Sequence, residues 1–421
     1  MSSEPHPVPP EADWNPDVPE LLDDVPGALA EVRERCPVPY AIQPDGSGYF
    51  AFTRYEDIVA AALDPQSYSS ASLRLMPDGL RRVPIELDPP EHTAYRRLLQ
   101  PYFSQRRLAI LEPRVRRFAG DLLQPLIEAG RADVAAGFTY PFPTRVLCAT
   151  LNIPDEDWAR LKLWAADASN RDPRRGNQRA SQSPVGHEAF MAYARAMIAV
   201  RRREPLDPAD DMTSGLLAAR IDGQPLSDDA ILGILRLMLS AGHNSTTISL
   251  GIVIAFLAEH QQAQTELRAR PALIPDAIEE ILRYHTPVVA NASPRVVTQD
   301  VEVRGRALQA GDQVVLVWGS GNRDDEAFAE ADRCVLDRSP NRHLVFGYGV
   351  HRCIGAPVAR QELRIAIEEL LARTTSFALN GPVERGHWWR QRGPTVLPLR
   401  FEAPPDSAAS STVDQAAHGC V

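Results

Sequence analysis

A chain of 421 residues with 44% hydrophobic content can bury a large core, and length alone would divide it into two or three domains. A formal net charge of -10 argues against a general nucleic-acid binder. Five cysteines, Cys36, Cys148, Cys334, Cys353 and Cys420, are scattered, odd in number and without metal-finger spacing, so no disulfide framework is expected.

The chain starts with a stretch rich in Pro and acidic residues, 1–19, which predicts a disordered arm. It has neither a basic n-region nor an apolar h-region, so no signal peptide or membrane anchor is expected there, and the protein should be cytoplasmic. Gly48 to Phe52 reads as a short strand, and Arg54 to Leu63 as a helix with apolar residues at helical spacing. A polar stretch interrupted by Pro and Gly follows, Ser67 to Pro90. Asp88-Pro89-Pro90-Glu91 then opens a helix that sets His92 and Arg96 one turn apart on one face. That spacing suits a carboxylate ligand, and equally an exposed basic turn. Ser169 to Val185 has almost no apolar content and predicts a long mobile loop between helices.

The longest helix predicted starts at an N-cap, Ser227, with Asp228 and Asp229 in its first turn, and runs to about His260. Its apolar content raises the possibility of a membrane span. Arg236, His243, Asn244, Ser245, Thr246 and Thr247 interrupt the run near its middle, so a core helix crossing the protein fits better. There Ala241-Gly242 precedes the polar groups, a pattern able to bend the helix and make room for a ligand. Farther on, Glu280 and Arg283 stand three apart on one helix face, where they can pair.

Phe346-Gly347-Tyr348-Gly349-Val350-His351-Arg352-Cys353-Ile354-Gly355 places one thiol on a glycine-rich turn that leads into a helix, with Pro357 suited to the first turn. A helix start lowers a thiol pKa and favours the metal-binding thiolate. Gly347, Gly349 and Gly355 would let a flat, bulky cofactor approach the backbone. The thiol alone would favour a buried free cysteine. Arg342, His343, His351, Arg352, Arg360 and Arg364 form a basic cluster around it, readable as a solvated helix face with cofactor anchors or as a docking surface for an acidic partner. The tail, 403–421, is low in complexity and predicted to be disordered.

The ten-residue run matches FGxGxHxCxG at every fixed position and resembles the heme-ligand loop of the cytochromes P-450. The resemblance extends over about nine tenths of the chain. It implies a mainly α fold with small β-sheets, a long central helix over the heme and the Cys loop beneath, in one heme domain over residues 20–402. It implies heme b (iron protoporphyrin IX), Cys353 as the thiolate ligand of the metal, and Phe346, Gly347 and Gly355 in the cofactor loop. His92, Arg96, Arg295 and His351 are implied to hold the heme propionates. Glu280 and Arg283, with Arg333 or alternatively Arg338, are implied to brace the heme-binding core.

In the same family, Ala241 to Thr247 corresponds to the oxygen-activation segment, usually Ala/Gly-Gly-x-Asp/Glu-Thr. Here Asn244 stands at the acid position and Ser245 at the alcohol position, followed by Thr246. An amide cannot relay protons as a carboxylate does, which leaves the proton route open, with His243 or ordered water as substitutes. The resemblance assigns the substrate pocket to Ser72 to Ile85, Gly242 to Thr246, Val288, Val289 and Asn291, and the turn near Thr395 and Val396. The function implied is a bacterial-type monooxygenase, an oxidoreductase that inserts one oxygen atom from O2 into a small or medium hydrophobic substrate. Electrons would come from a separate ferredoxin and ferredoxin reductase, with neither nucleic acid nor membrane as partner. A peroxide-driven or nitrating heme-thiolate enzyme, and a non-catalytic heme sensor or accessory protein, are the alternatives.

Overall fold

The computed structural model describes residues 11–16, 21, 23–43, 47–71, 80–169, 184–290, 294–386 and 390–404, with backbone only for 165–169, 184–187, 240 and 243. In chain order its helices are α1 (Val25–Arg35), α2 (Tyr55–Leu63), α3 (Glu91–Leu99), α4 (Gln105–Glu128), α5 (Pro141–Thr150), α6 (Trp158–Ser169) and α7 (Pro184–Arg203). There follow α8 (Met212–Ala218), α9 (Asp228–Glu259), α10 (Gln261–Ala269), α11 (Ile274–His285), the single turn α12 (Trp318–Gly321) and α13 (Ala356–Arg373). The expected mainly α architecture with small sheets is what is observed.

Helix α9 begins where its cap predicts: Ser227 Oγ accepts from the Ala230 amide, Asp228 and Asp229 occupy the first turn, and His260 closes the end. Its 32 residues span about 48 Å. It is long and apolar enough to cross a membrane, but it lies mostly buried inside the protein. Leu250, Val253, Ile254 and Leu257 of α9 share a core with Phe118 and Leu123 of α4, Ile278 and Ile281 of α11, and Ile367 and Leu370 of α13. Each such fully buried side chain contributes roughly 1.5–3 kcal/mol, so this core fixes α4, α11 and α13 around α9. A second core joins Leu99, Tyr102, Phe190 and Ile198 to Leu235 and Met238 in the first half of α9.

The largest sheet has the order Tyr40–Ile42, Gly48–Phe52, Gln313–Leu316, Arg295–Val297, Tyr68–Ser69. Its central pair is parallel, with Phe50 opposite Val314, and the other neighbours are antiparallel. The strand expected at Gly48 to Phe52 and the helix expected after Arg54 are both present, with Arg54 as the cap of α2.

The arm expected to be loose over 1–19 is tied down in part. Trp14 is buried and bridged to Ala41, and Asp13 accepts from the Tyr40 amide at 2.9 Å and pairs with Arg306 at 2.7 Å. A large aromatic and an acid with two partners outweigh the Pro-rich surroundings. The low-apolar stretch after Ser169 and the tail beyond Pro404 lie outside the described residues. Cys36, Cys148, Cys334 and Cys353 are free thiols.

Candidate active site

The loop before α13 is shaped by backbone that only glycine tolerates. Gly347 and Gly349 have φ of +67° and +68°, and a Cβ on Gly349 would lie 2.0 Å from the Ala62 carbonyl oxygen of α2. A short turn, Gly349–His351, then brings the Cys353 amide to the Phe346 carbonyl at 2.8 Å. Arg360 of α13 covers the Phe346 ring at 4.4 Å and pairs with Glu279 of α11, which also accepts from His343 at 2.8 Å. These partners hold the Glu279 carboxyl down at about 2 although burial pushes it the other way.

The Cys353 thiol is accessible yet enclosed by protein, so it faces an internal recess. Burial pushes its pKa up, opposed by the Gly355 and Ala356 amides and by Arg96 and Arg360. The expectation of a lowered pKa at a helix start therefore gives way to desolvation, because the amides offset only part of it. A thiol so placed becomes a thiolate when a metal displaces its proton.

A group of cationic and donor side chains opens on the same recess. His92 and Arg96 come from α3, Arg295 from a strand of the large sheet and His351 from the thiol loop. The His92 and His351 rings are 4.2 Å apart. Both His92 nitrogens and His351 Nε2 are buried without a hydrogen-bond partner, while Arg96 donates to the Arg352 carbonyl. Burial and the neighbouring arginines push His92 down to about 4 and His351 to about 2, and burial brings Arg295 to about 10, with Asp88 opposing. Buried polar atoms left unpaired are costly, and two carboxylates on a cofactor would satisfy all four residues at once. These residues fit the heme that the resemblance implies.

The brace on α11 differs from expectation in its third member. Glu280 and Arg283 form a two-pronged pair, Nε to Oε2 at 2.8 Å and Nη2 to Oε1 at 2.9 Å, both side chains fully buried. Arg283 also donates to the carbonyls of Asn322, Ala331 and Arg333. The arginine that reaches Glu280 is Arg338, with Nε 3.0 Å from Oε1. Arg333 supplies only its main-chain carbonyl; its side chain is 69% exposed and pairs with Glu330. The turn around Ala331–Arg333 presents carbonyls inward, which sends that side chain to solvent.

Helix α9 carries Ala241 to Thr247 without a break in its helical assignment. Ser245 Oγ donates to the Ala241 carbonyl at 3.0 Å and Ser249 Oγ to the Ser245 carbonyl at 2.8 Å, which absorbs the polar groups within the helix. Thr246 and Thr247 are buried, Thr247 Oγ1 without a partner. The His243 side chain lies outside the described residues. Asn244 Nδ2 donates to Gln391 Oε1 at 3.0 Å. Gln391 was not singled out from the sequence. Its only signal there is its place beside the expected turn, since an amide partner 147 residues away leaves no local pattern.

Gln391 is also bridged through its backbone to Val288, and the Val289 amide donates to the Arg390 carbonyl at 2.8 Å. The chain then runs hard against α9: a Cβ on Gly393 would lie 2.6 Å from Ile248. Thus Val288, Val289, Gly242 and the strand Pro394–Val396, with Thr395 and Val396, belong to elements held around one stretch of α9. Asn291 and residues 72–79 lie outside the described residues. Of the basic cluster, His343 and Arg360 are engaged with Glu279, Arg364 with Glu112 and Glu368, and His351 in the recess, leaving Arg342 and Arg352 exposed.

A family model described as Cytochrome P450 matches residues 272–379. The chain is 35% identical over 382 residues to mycinamicin IV hydroxylase/epoxidase of Micromonospora griseorubida, covering 89% of this chain and 94% of that one. It is 32% identical to linalool 8-monooxygenase of Pseudomonas putida, covering 87% and 92%. The solved structure of cytochrome P450 CYP109Q5 from Chondromyces apiculatus superposes with a TM-score of 0.83 at 30% identity, over 93% of this chain and 99% of that one.

Proposed function

Because this chain belongs to the cytochrome P450 family, we propose that it is a monooxygenase inserting one oxygen atom from O2 into a small or medium hydrophobic organic substrate. Heme b, when bound, supplies the oxygen activation with electrons delivered from outside. The observation that carries this reading is the recess in which an enclosed thiol and four unsatisfied or depressed cationic groups converge.

In this reading Cys353 binds the iron, and His92, Arg96, Arg295 and His351 hold the propionates. Phe346, Gly347 and Gly355 would shape the loop that receives the cofactor. Ser245 would offer one hydroxyl to the site, its donor turned to Ala241 and its lone pairs free to accept from water. Asn244 orients rather than ionises, and Thr246 closes the helix face. Gly242, Val288, Val289, Thr395 and Val396 exclude water around the substrate. A ferredoxin with its reductase supplies electrons, docking over Arg342 and Arg352, and the enzyme works in the cytoplasm. Peroxide-driven turnover is a second reading, favoured by the Asn244–Gln391 bond, which leaves no carboxylate at the acid position.

The test is spectroscopic. Reduced protein under CO should show the red-shifted Soret band of a thiolate-bound heme, and Cys353→His should lose it; survival of the band in the variant would refute the assignment. Product formed with hydrogen peroxide alone, at the rate of the ferredoxin-driven reaction, would promote the second reading.

A further inference from the structure

The pattern that marks the propionate site, buried cationic groups with unsatisfied nitrogens around a recess, occurs a second time in the molecule. A cavity of about 260 Å³ lies between the start of α1, the end of α11, α12 and the segment before Pro394. Part of the lining is apolar: Val25, Pro26, Leu29, Ile252 and Val289. His285, Arg323, Arg385 and Arg392 are its cationic and donor groups. Arg323 Nε and Nη1 and Arg392 Nε are buried and without a hydrogen-bond partner. Arg323 is held from one face by the Tyr284 ring, 3.7 Å away.

The acids nearby do not satisfy these groups. Asp332 stays 3.7 Å from Arg323 and is 84% exposed, and Glu259 stays 3.8 Å from Arg385. Asp23 lines the cavity, and Asp24 is engaged as the cap of α1 through the Gly27 amide. His285 is accessible yet enclosed, as Cys353 is; burial and then Arg323 and Arg385 push it down to about 4, while Asp23 and Asp24 act on Arg392 from the other end of the cavity without bonding its Nε.

We propose that this cavity binds a small organic carboxylate, its charged end on Arg323 and Arg392 and its apolar body on Val25, Leu29 and Val289. Guanidinium forks match a carboxylate plane, and Val25, Pro26, Leu29, Ile252 and Val289 have no side-chain donor for a second charged end. The site is distinct from the thiol loop: its lining includes neither that loop nor Gly242 to Thr247, and it shares Val289 with the expected substrate pocket. It is nevertheless mechanically joined to it. Val289 lines the cavity while its amide and carbonyl are bonded to Arg390 and Gly319, and Val288 beside it is bridged to Gln391. An occupant that presses on Val289 therefore alters the wall that faces α9.

The purified holoprotein should be titrated by calorimetry with hexanoate, hexanamide and inorganic phosphate while its Soret band is followed. Hexanoate should bind about tenfold more tightly than hexanamide, the contribution of one charge-assisted contact, and more tightly than phosphate. It should leave the Soret band of the ligand-free enzyme unchanged, yet shift the midpoint of a 4-phenylimidazole titration at the iron. The paired substitutions Arg385→Gln and Arg392→Gln should weaken hexanoate by about fivefold or more and keep the CO spectrum. Equal binding of hexanamide would overturn the charged site, and tighter binding of phosphate would overturn the carboxylate class. A Soret change by hexanoate alone would put it in the heme recess and overturn the proposal, as would unchanged affinity in the variant. Loss of the CO band in the unmodified protein would instead remove the heme reading and leave the calorimetric affinities interpretable.

Discussion

Asn244 is the residue whose chemistry departs most from the family pattern, and its partner explains how the departure is accommodated. An amide at the acid position can pair with a neutral amide, and Gln391 supplies it at 3.0 Å. Asn244→Asp should be tolerated, because the Gln391 amide can turn and donate to the carboxylate; product per O2 consumed should be equal or higher. Ser245→Ala should lower that ratio by roughly fivefold, the equivalent of about 1 kcal/mol of lost hydrogen bonding. Unchanged coupling in Ser245→Ala would make the hydroxyl dispensable.

Glu362 gives a second prediction at this scale. It is buried in α13 at 3% exposure with Oε2 unpartnered, and burial pushes its carboxyl well above 4.5. Above pH 4.5 the unfolded chain releases this proton while the folded chain keeps it, so stability falls as pH rises, until the folded carboxyl itself ionises. Glu362→Gln should remove that loss, gaining on the unmodified protein by up to ~1.4 kcal/mol per pH unit in urea unfolding as pH rises above about 5. A difference independent of pH would show that Glu362 does not keep its proton.

At the scale of elements, α4 and α13 are stitched by Glu112 and Arg116 on one and Arg364, Glu368 and Glu369 on the other. These groups are partly exposed, so each pair contributes about 1 kcal/mol or less. Reversing Arg364 would set a like charge beside Glu112 and Glu368. Arg364→Glu should therefore lower the unfolding midpoint as well as any docking rate, whereas Arg352→Glu should leave the midpoint alone. The brace behaves differently: Arg283→Ala leaves Glu280 with Arg338 as its remaining arginine and takes a buried donor from the carbonyls of Asn322, Ala331 and Arg333, so it should cost about 3–5 kcal/mol, with loss of heme on purification. Helices and strands with local causes were legible in the chain. Ser227 and the aspartates after it announced α9, and a short run rich in aromatics announced Gly48–Phe52. Arg338 and Gln391 were not, because each finds its partner across the fold: Arg338 and Arg333 are equal as letters, and only the direction of the Ala331–Arg333 carbonyls decides between them.

For the whole molecule, a net charge of -10 sets a field against which any exposed cation on the thiol side stands out. With Arg360 and Arg364 engaged internally, Arg352 is the cleaner probe of electron-donor docking. Arg352→Glu should slow reduction by an acidic ferredoxin about fivefold at low ionic strength, converging with the unmodified protein as salt rises. An equal rate at low salt would locate docking elsewhere.

The parallel pairing of Gly48–Phe52 with Gln313–Leu316 also has a consequence during synthesis. About 260 residues separate Phe50 from Val314. At 5–20 residues per second, the early strand waits roughly 13–50 s on the ribosome before its central neighbour exists. Through that interval Tyr49, Phe50 and Phe52, all buried at the end, have no sheet to bury them, and one edge of Gly48–Phe52 stays open. Nascent chains arrested before residue 313 should therefore be cleaved around Gly48–Phe52 and held by chaperones, and chains released past residue 316 should become resistant.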